Sequence, residues 1–233
     1  MSVLDRPRSP VRGLVAAGVA ALAVFIALLI SAAANSGWAA TFDQDLHTWL
    51  LAHRTATLTL LARTATVTAT PVVATVLVLA IAAGIGTGTV SARLRRASLV
   101  GAIMAPALLA RYGLSLLVAR QRPPREDWAW HASGQSFPSG HTTAAALAAG
   151  LVGWLAIHRV TSRACRCLLW MVAAGYVVLI AWTRTYLGVH WPTDVLAGAA
   201  FAITWLCVAF IVRELTTHAQ RPRDRHPAAP GEP

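Results

Sequence analysis

The sequence predicts an all-α protein: a six-span transmembrane helical bundle with both its N and C termini cytoplasmic. Three observations predict it. Hydrophobic residues make up 56% of the 233 positions and charged residues only 12%, about half the charged share of a soluble domain. The apolar residues fall in long runs, and roughly 18 or more in succession is the length that crosses a bilayer. The arginines lie between and beyond these runs, unequally divided between alternate loops.

The first run, 13–34, follows Arg6, Arg8 and Arg12. It is long for the apolar part of a signal peptide and is read as an uncleaved span; cleavage within 32–40 is the alternative. Residues 35–57 mix Trp38, Asp43, Asp45, His47, Trp49, His53 and Arg54 and read as an interfacial loop with aromatic anchors. Further spans are expected at 58–83, 97–119, 141–157, 167–182 and 192–212. The second contains Pro71, which membrane helices tolerate. Three segments follow: 1–12 as a cytoplasmic lead, 13–212 as the membrane domain, and 213–233 as a disordered Pro/Arg-rich cytoplasmic tail.

With alternating sides, one face collects thirteen arginines and the other five, namely Arg54, Arg120, Arg122, Arg125 and Arg184. Arg63 and Arg111 fall inside spans. The positive-inside rule puts the richer face in the cytoplasm, so the loops at 35–57, 120–140 and 183–191 face outward. In a soluble protein a net charge of +11 would suggest nucleic acid. Here topology and anionic headgroups account for it, and no nucleic-acid partner is expected. Cys165, Cys167 and Cys207 form no disulfide framework; the C-x-C pair reads as small apolar filler, and no metal site is expected.

The outward loops hold a concentrated set of polar groups. Arg120-Gln121-Arg122-Pro123 ends the third span. Pro138-Ser139-Gly140-His141 opens the fourth. Thr183-Arg184 closes the fifth, and His190-Trp191-Pro192-Thr193-Asp194 leads into the sixth. Arg122 and Arg184 are positive forks suited to a phosphate. Ser139 and Gly140 precede a helix, where free amides and the dipole favour an anion. His141 and His190 exchange protons near neutral pH. Asp194 is one helical turn beyond His190, spaced to orient it. These are the groups that phosphoryl transfer through a histidine requires.

The three motifs together resemble the type 2 phosphatidic acid phosphatase/haloperoxidase superfamily. Its pattern is Lys-x6-Arg-Pro, then Pro-Ser-Gly-His, then Ser-Arg-x5-His-x3-Asp. This chain reads Ser115-x6-Arg122-Pro123, Pro138-Ser139-Gly140-His141 and Thr183-Arg184-x5-His190-x3-Asp194. The resemblance implies a metal-independent, cofactor-free phosphatase acting on a lipid phosphate at the outer face of the cell membrane. Phosphatidate, phosphatidylglycerol phosphate and polyprenyl diphosphate are its candidate substrates. It implies that His190 is the nucleophile, Asp194 its orienting partner and His141 the acid. Arg122, Ser139, Gly140 and Arg184 would bind phosphate.

Thr183 replaces the pattern's serine and keeps a hydroxyl. Ser115 replaces its lysine and removes a cation, and the sequence has no lysine to substitute. Arg111, one turn earlier on the same helix face, or Arg120 is the candidate replacement. Other readings of the chain are a vanadium haloperoxidase and a non-catalytic lipid-phosphate binder or transporter. His131 reads as lining the entrance; Trp128, Trp130 and Trp191 read as interfacial anchors. His47, His53, His158, His218 and His226 read as interfacial.

Overall fold

The computed structural model describes residues 10–34, 36–86, 88–157 and 159–219. The lead before residue 10, His158 and the tail beyond 219 lie outside the described residues. Eight α-helices follow in order: α1 Pro10–Ala34, α2 Trp38–Ala52, α3 Ala56–Val67, α4 Pro71–Gly84, α5 Val90–Val118, α6 Gly140–Ile157, α7 Arg163–Tyr186 and α8 Pro192–Ala219. No strand occurs among the described residues. Five helices (α1, α5, α6, α7 and α8) are long and apolar enough to cross a membrane, and α3 with α4 makes up to a sixth span.

That sixth span is not the continuous helix expected over 58–83. It breaks between Val67 and Pro71 and bends by 57°. Pro71 supplies no N–H and disfavours helical geometry at the residue before it; Thr70 accordingly has ψ 129°. At the break the Thr68 hydroxyl bonds back to Ala65 O and lies 3.0 Å from the Tyr176 hydroxyl, which ties it to α7.

Two further expectations are corrected. Residues 38–52 are helical, not a loop. Asp43, His47 and Leu50 recur at helical spacing and are buried together, while Trp38, Phe42 and Trp49 stay exposed; this is an amphipathic period that the mixed composition concealed. The start of the expected tail, 213–219, continues α8. The next proline is Pro222, so nothing breaks the helix there, and Arg213 stacks 4.8 Å over the Trp154 ring.

The central helix is α6, with 56% of its apolar window buried against 6% for α7. Its run of alanines and glycines lets α4, α5, α7 and α8 approach closely. Gly198 on α8 meets backbone at close range: a Cβ there would lie 2.7 Å from Ser139 O. Leu147, Leu151, Met104, Val78 and Leu206 fill the core between α4, α5, α6 and α8. A second cluster joins Phe25 and Leu28 of α1 to Phe137 in the loop before α6. That contact fixes the loop from below at the end of the bundle that carries the polar motifs.

Candidate active site

The loop between α5 and α6, the turn between α7 and α8, and helix α2 form one cap over this end of the bundle. Backbone bonds join the first two: Ala129 N donates to Leu187 O at 2.9 Å and Ser139 N to Asp194 O at 3.0 Å. Arg54 holds both loops, donating to Tyr186 O and Asp127 O. His47 of α2 reaches Asp127 at 3.0 Å.

Beneath the cap lies a cavity of about 200 Å³ whose lining includes Pro71, Arg111, Arg122, His131, Gly140, His141, Arg184 and His190. Seven of the candidate site residues, all but Pro71, therefore share one pocket, although they span 80 positions of chain. Three of them are guanidiniums, and among the described residues no carboxylate lies within ion-pair distance of any of the three. Arg184 is 1% exposed; its Nη1 bonds Thr66 and its Nε has no partner. Unpaired buried cations are expensive, so the pocket is electrostatically poised for an anion.

Arg122 is gripped from several sides. It donates to the carbonyls of Ser133, Gly134, Gln135 and Val189, and its Nη1 is 2.9 Å from His190 Nε2. A guanidinium only donates, so Nε2 carries the lone pair. The neutral ring then holds its proton on Nδ1, which faces Asp194 Oδ2 at 3.5 Å. That separation is ion-pair range without hydrogen-bond geometry. Burial, and then Arg122, Arg184 and Arg111, push the His190 pKa well below the usual histidine value.

Asp194 is the hub of a second network behind the pocket. Oδ2 accepts from Trp191 N at 2.9 Å and from the Ser136 hydroxyl; Oδ1 accepts from Arg120 at 2.6 Å. Arg120 also donates to Asp43 at 2.7 Å and to the Thr193 hydroxyl at 2.8 Å. Burial opposes the charge on Arg120, but Asp194 and Asp43 outweigh it and raise its pKa.

This arrangement separates the two candidate replacement cations. Arg120 is committed to carboxylates outside the cavity. Arg111 lines the cavity, its guanidinium held on Pro138 O by bonds of 2.7 and 2.5 Å. It also lies 3.1 Å from where a Cβ of residue 140 would stand, which explains why glycine fits there. Ser139 is placed differently from the expectation. Its amide is taken by Asp194 O, and its hydroxyl lies at the start of α6, accepting from Thr142 Oγ1 at 3.2 Å. The first intrahelical bond of α6 is Thr143 N to Ser139 O, which leaves the Gly140 and His141 amides as the orphan donors of that helix end. Sequence reasoning missed Asp43, Thr66 and Ser136. Only Asp43 gave a signal, as an acid spaced for the buried face of a helix.

Residues 96–217 match the PAP2 superfamily, which is more than half of the chain. The chain belongs to the PAP2 superfamily. Within it, the chain is 34% identical over 119 residues to the putative undecaprenyl-diphosphatase YbjG of Escherichia coli (strain K12), covering 49% of this chain and 56% of that protein. It is 31% identical over 96 residues to phosphatidylglycerophosphatase B of Bacillus subtilis (strain 168), covering 41% and 46%. The match thus spans about half the length of these curated PAP2 relatives. The fold is similar to the crystal structure of a transmembrane PAP2-type phosphatidylglycerolphosphate phosphatase from Bacillus subtilis, with a TM-score of 0.73 at 24% identity over 87% of this chain and 98% of that one. All three PAP2 motifs fall within or overlap the matched stretch.

Proposed function

We propose that this PAP2 protein is a membrane lipid phosphate phosphatase that works through a phosphohistidine on the outer face of the cell membrane. The observation that carries the reading is the pocket of three carboxylate-free guanidiniums around a neutral histidine whose Nε2 lone pair points into it. The named relatives are a putative undecaprenyl-diphosphatase and a phosphatidylglycerophosphatase, which supports a lipid phosphate or diphosphate as substrate.

In this mechanism Arg111, Arg122, Arg184 and the amides of Gly140 and His141 hold the phosphate oxygens. Arg122 shifts its Nη1 hydrogen from His190 to a phosphate oxygen. His141 takes up a proton as the bound phosphate offsets the surrounding guanidiniums; Nε2 then attacks phosphorus and the ester oxygen leaves with that proton. Asp194 balances the positive charge that develops on the imidazole. Water, deprotonated by His141, cleaves the P–N bond and releases inorganic phosphate, restoring both histidines. The protein's work is positioning and electrostatic stabilisation of the equatorial oxygens.

The thirteen-to-five arginine asymmetry supports cytoplasmic termini with the pocket at the opposite face. Purified protein in detergent is expected to release phosphate from phosphatidate, phosphatidylglycerol phosphate or undecaprenyl diphosphate with chelator present, and vanadate is expected to inhibit it. His190→Ala is expected to abolish release. Retention of full activity in that variant would falsify the mechanism, and lipid binding without release would select a binder instead.

A further inference from the structure

Asp43 lies on α2, outside the stretch that matches the superfamily and outside its motifs. It is 2% exposed and fully engaged: Oδ1 accepts from Thr193 N at 2.8 Å, and Oδ2 from the Thr193 hydroxyl at 2.6 Å and from Arg120 at 2.7 Å. The same arginine binds Asp194 at 2.6 Å through its other terminal nitrogen. One guanidinium is therefore shared by two buried carboxylates, and with both ionised the Asp43–Arg120–Asp194 unit carries a net charge of minus one.

That sharing bears on the nucleophile. Paired with Arg120 alone, Asp194 would be a neutralised carboxylate. Its Oδ2 is already claimed by Ser136 and Trp191 N, and His190 Nδ1 stands off at 3.5 Å. Every other charge facing His190 is positive: Arg111 of α5, Arg122 of the following loop and Arg184 of α7, with His141 of α6 titratable. An imidazole surrounded in this way resists the positive charge it must take on when Nε2 attacks phosphorus. A compensating negative charge close by, in a poorly screened interior, offsets that resistance.

We infer that Asp43 is a positioning residue for the nucleophile: by sharing Arg120 it leaves the Asp194 side of His190 with the net negative charge that holds Nδ1–H and stabilises the charged imidazole. The inference rests on the phosphohistidine reading and deepens it. It also gives α2 a part in the chemistry, since this helix contributes no residue to the pocket wall.

The test is Asp43→Asn, with Asp43→Ser as a second charge-removing variant that keeps a hydroxyl for Thr193. Folding in detergent is checked by thermal unfolding, and either folded variant decides. The expected result is a kcat reduced about tenfold or more with KM within about twofold, and an acid limb of kcat/KM moved to lower pH by about half a unit, because a negative charge near His190 has gone. Asp43→Glu, which keeps the charge, is expected to keep the wild-type acid limb. An unchanged kcat, or a lost kcat with the acid limb unmoved, overturns the proposal. The wild-type rate in the same assay tests the phosphatase reading separately. Should wild type release no phosphate, the 15N shifts of His190 still decide. A pH titration of those shifts with a lower midpoint in Asp43→Asn than in wild type supports the coupling, and identical midpoints overturn it.

Discussion

Arg111 and Gly140 are adjusted to each other. The motif lysine is absent, and a guanidinium one helical turn earlier reaches the pocket because residue 140 has no side chain to exclude it. Gly140→Ala is expected to push Arg111 off Pro138 O and to lower phosphate release by roughly two to three orders of magnitude, as for the loss of one donor to the transition state. Thermal unfolding is expected to change little; a normal rate in a folded variant would remove Arg111 from the clamp. A second expectation concerns protonation. The depressed His190 pKa predicts an NMR titration of the free protein with a midpoint below about 6.5, the ordinary histidine value. Its sign follows: the stability tied to the neutral ring is intact above that pH and is lost as pH falls. A midpoint at or above 6.5 would contradict the burial and charge argument.

At the scale of helices, the pocket depends on how closely α8 meets α6. Ser139 N and O both face α8: the amide bonds Asp194 O, and the carbonyl would sit 2.7 Å from a Cβ at residue 198. Gly198→Ala has backbone in its way, which cannot rotate aside. It is expected to destabilise the protein by about 1–3 kcal/mol, read as a lower Tm in detergent, and to reduce activity by shifting Asp194. A Tm equal to wild type would mean that the helices slide apart without cost. The sequence made the spans legible because length and hydropathy decide them, and it made the pocket legible because its residues cluster at span ends. It could not show the α3–α4 break, since Pro71 is compatible with both a kinked and a broken helix. Nor could it show α2, whose Asp43, His47 and Leu50 point into a cap built from segments more than 70 residues away. The partner of the Ser139 amide was illegible for a related reason: it is supplied by α8, a contact that local pattern does not carry.

For the whole molecule, orientation is the property on which access to substrate depends. Cys165 and Cys167 are exposed near the start of α7, at the end of the helix opposite Arg184, while Cys207 is buried. The proposed topology predicts that a membrane-impermeant maleimide leaves intact cells or right-side-out vesicles unlabelled and labels inside-out vesicles at Cys165 or Cys167. Labelling of intact cells at these positions would place the pocket on the cytoplasmic side. Mass spectrometry of the labelled peptides distinguishes them from Cys207.

The hydrogen bond from Arg122 to His190 Nε2 has a consequence for selectivity. In the proposed mechanism the attacking lone pair is masked by the same group that recognises the substrate. An uncharged electrophile entering the pocket offers Arg122 nothing in exchange and meets a silent histidine. An oxyanion draws the guanidinium to itself and uncovers the nitrogen in the same movement. Recognition and arming are thereby one event, and a competent inhibitor must bring its own negative charge to the door.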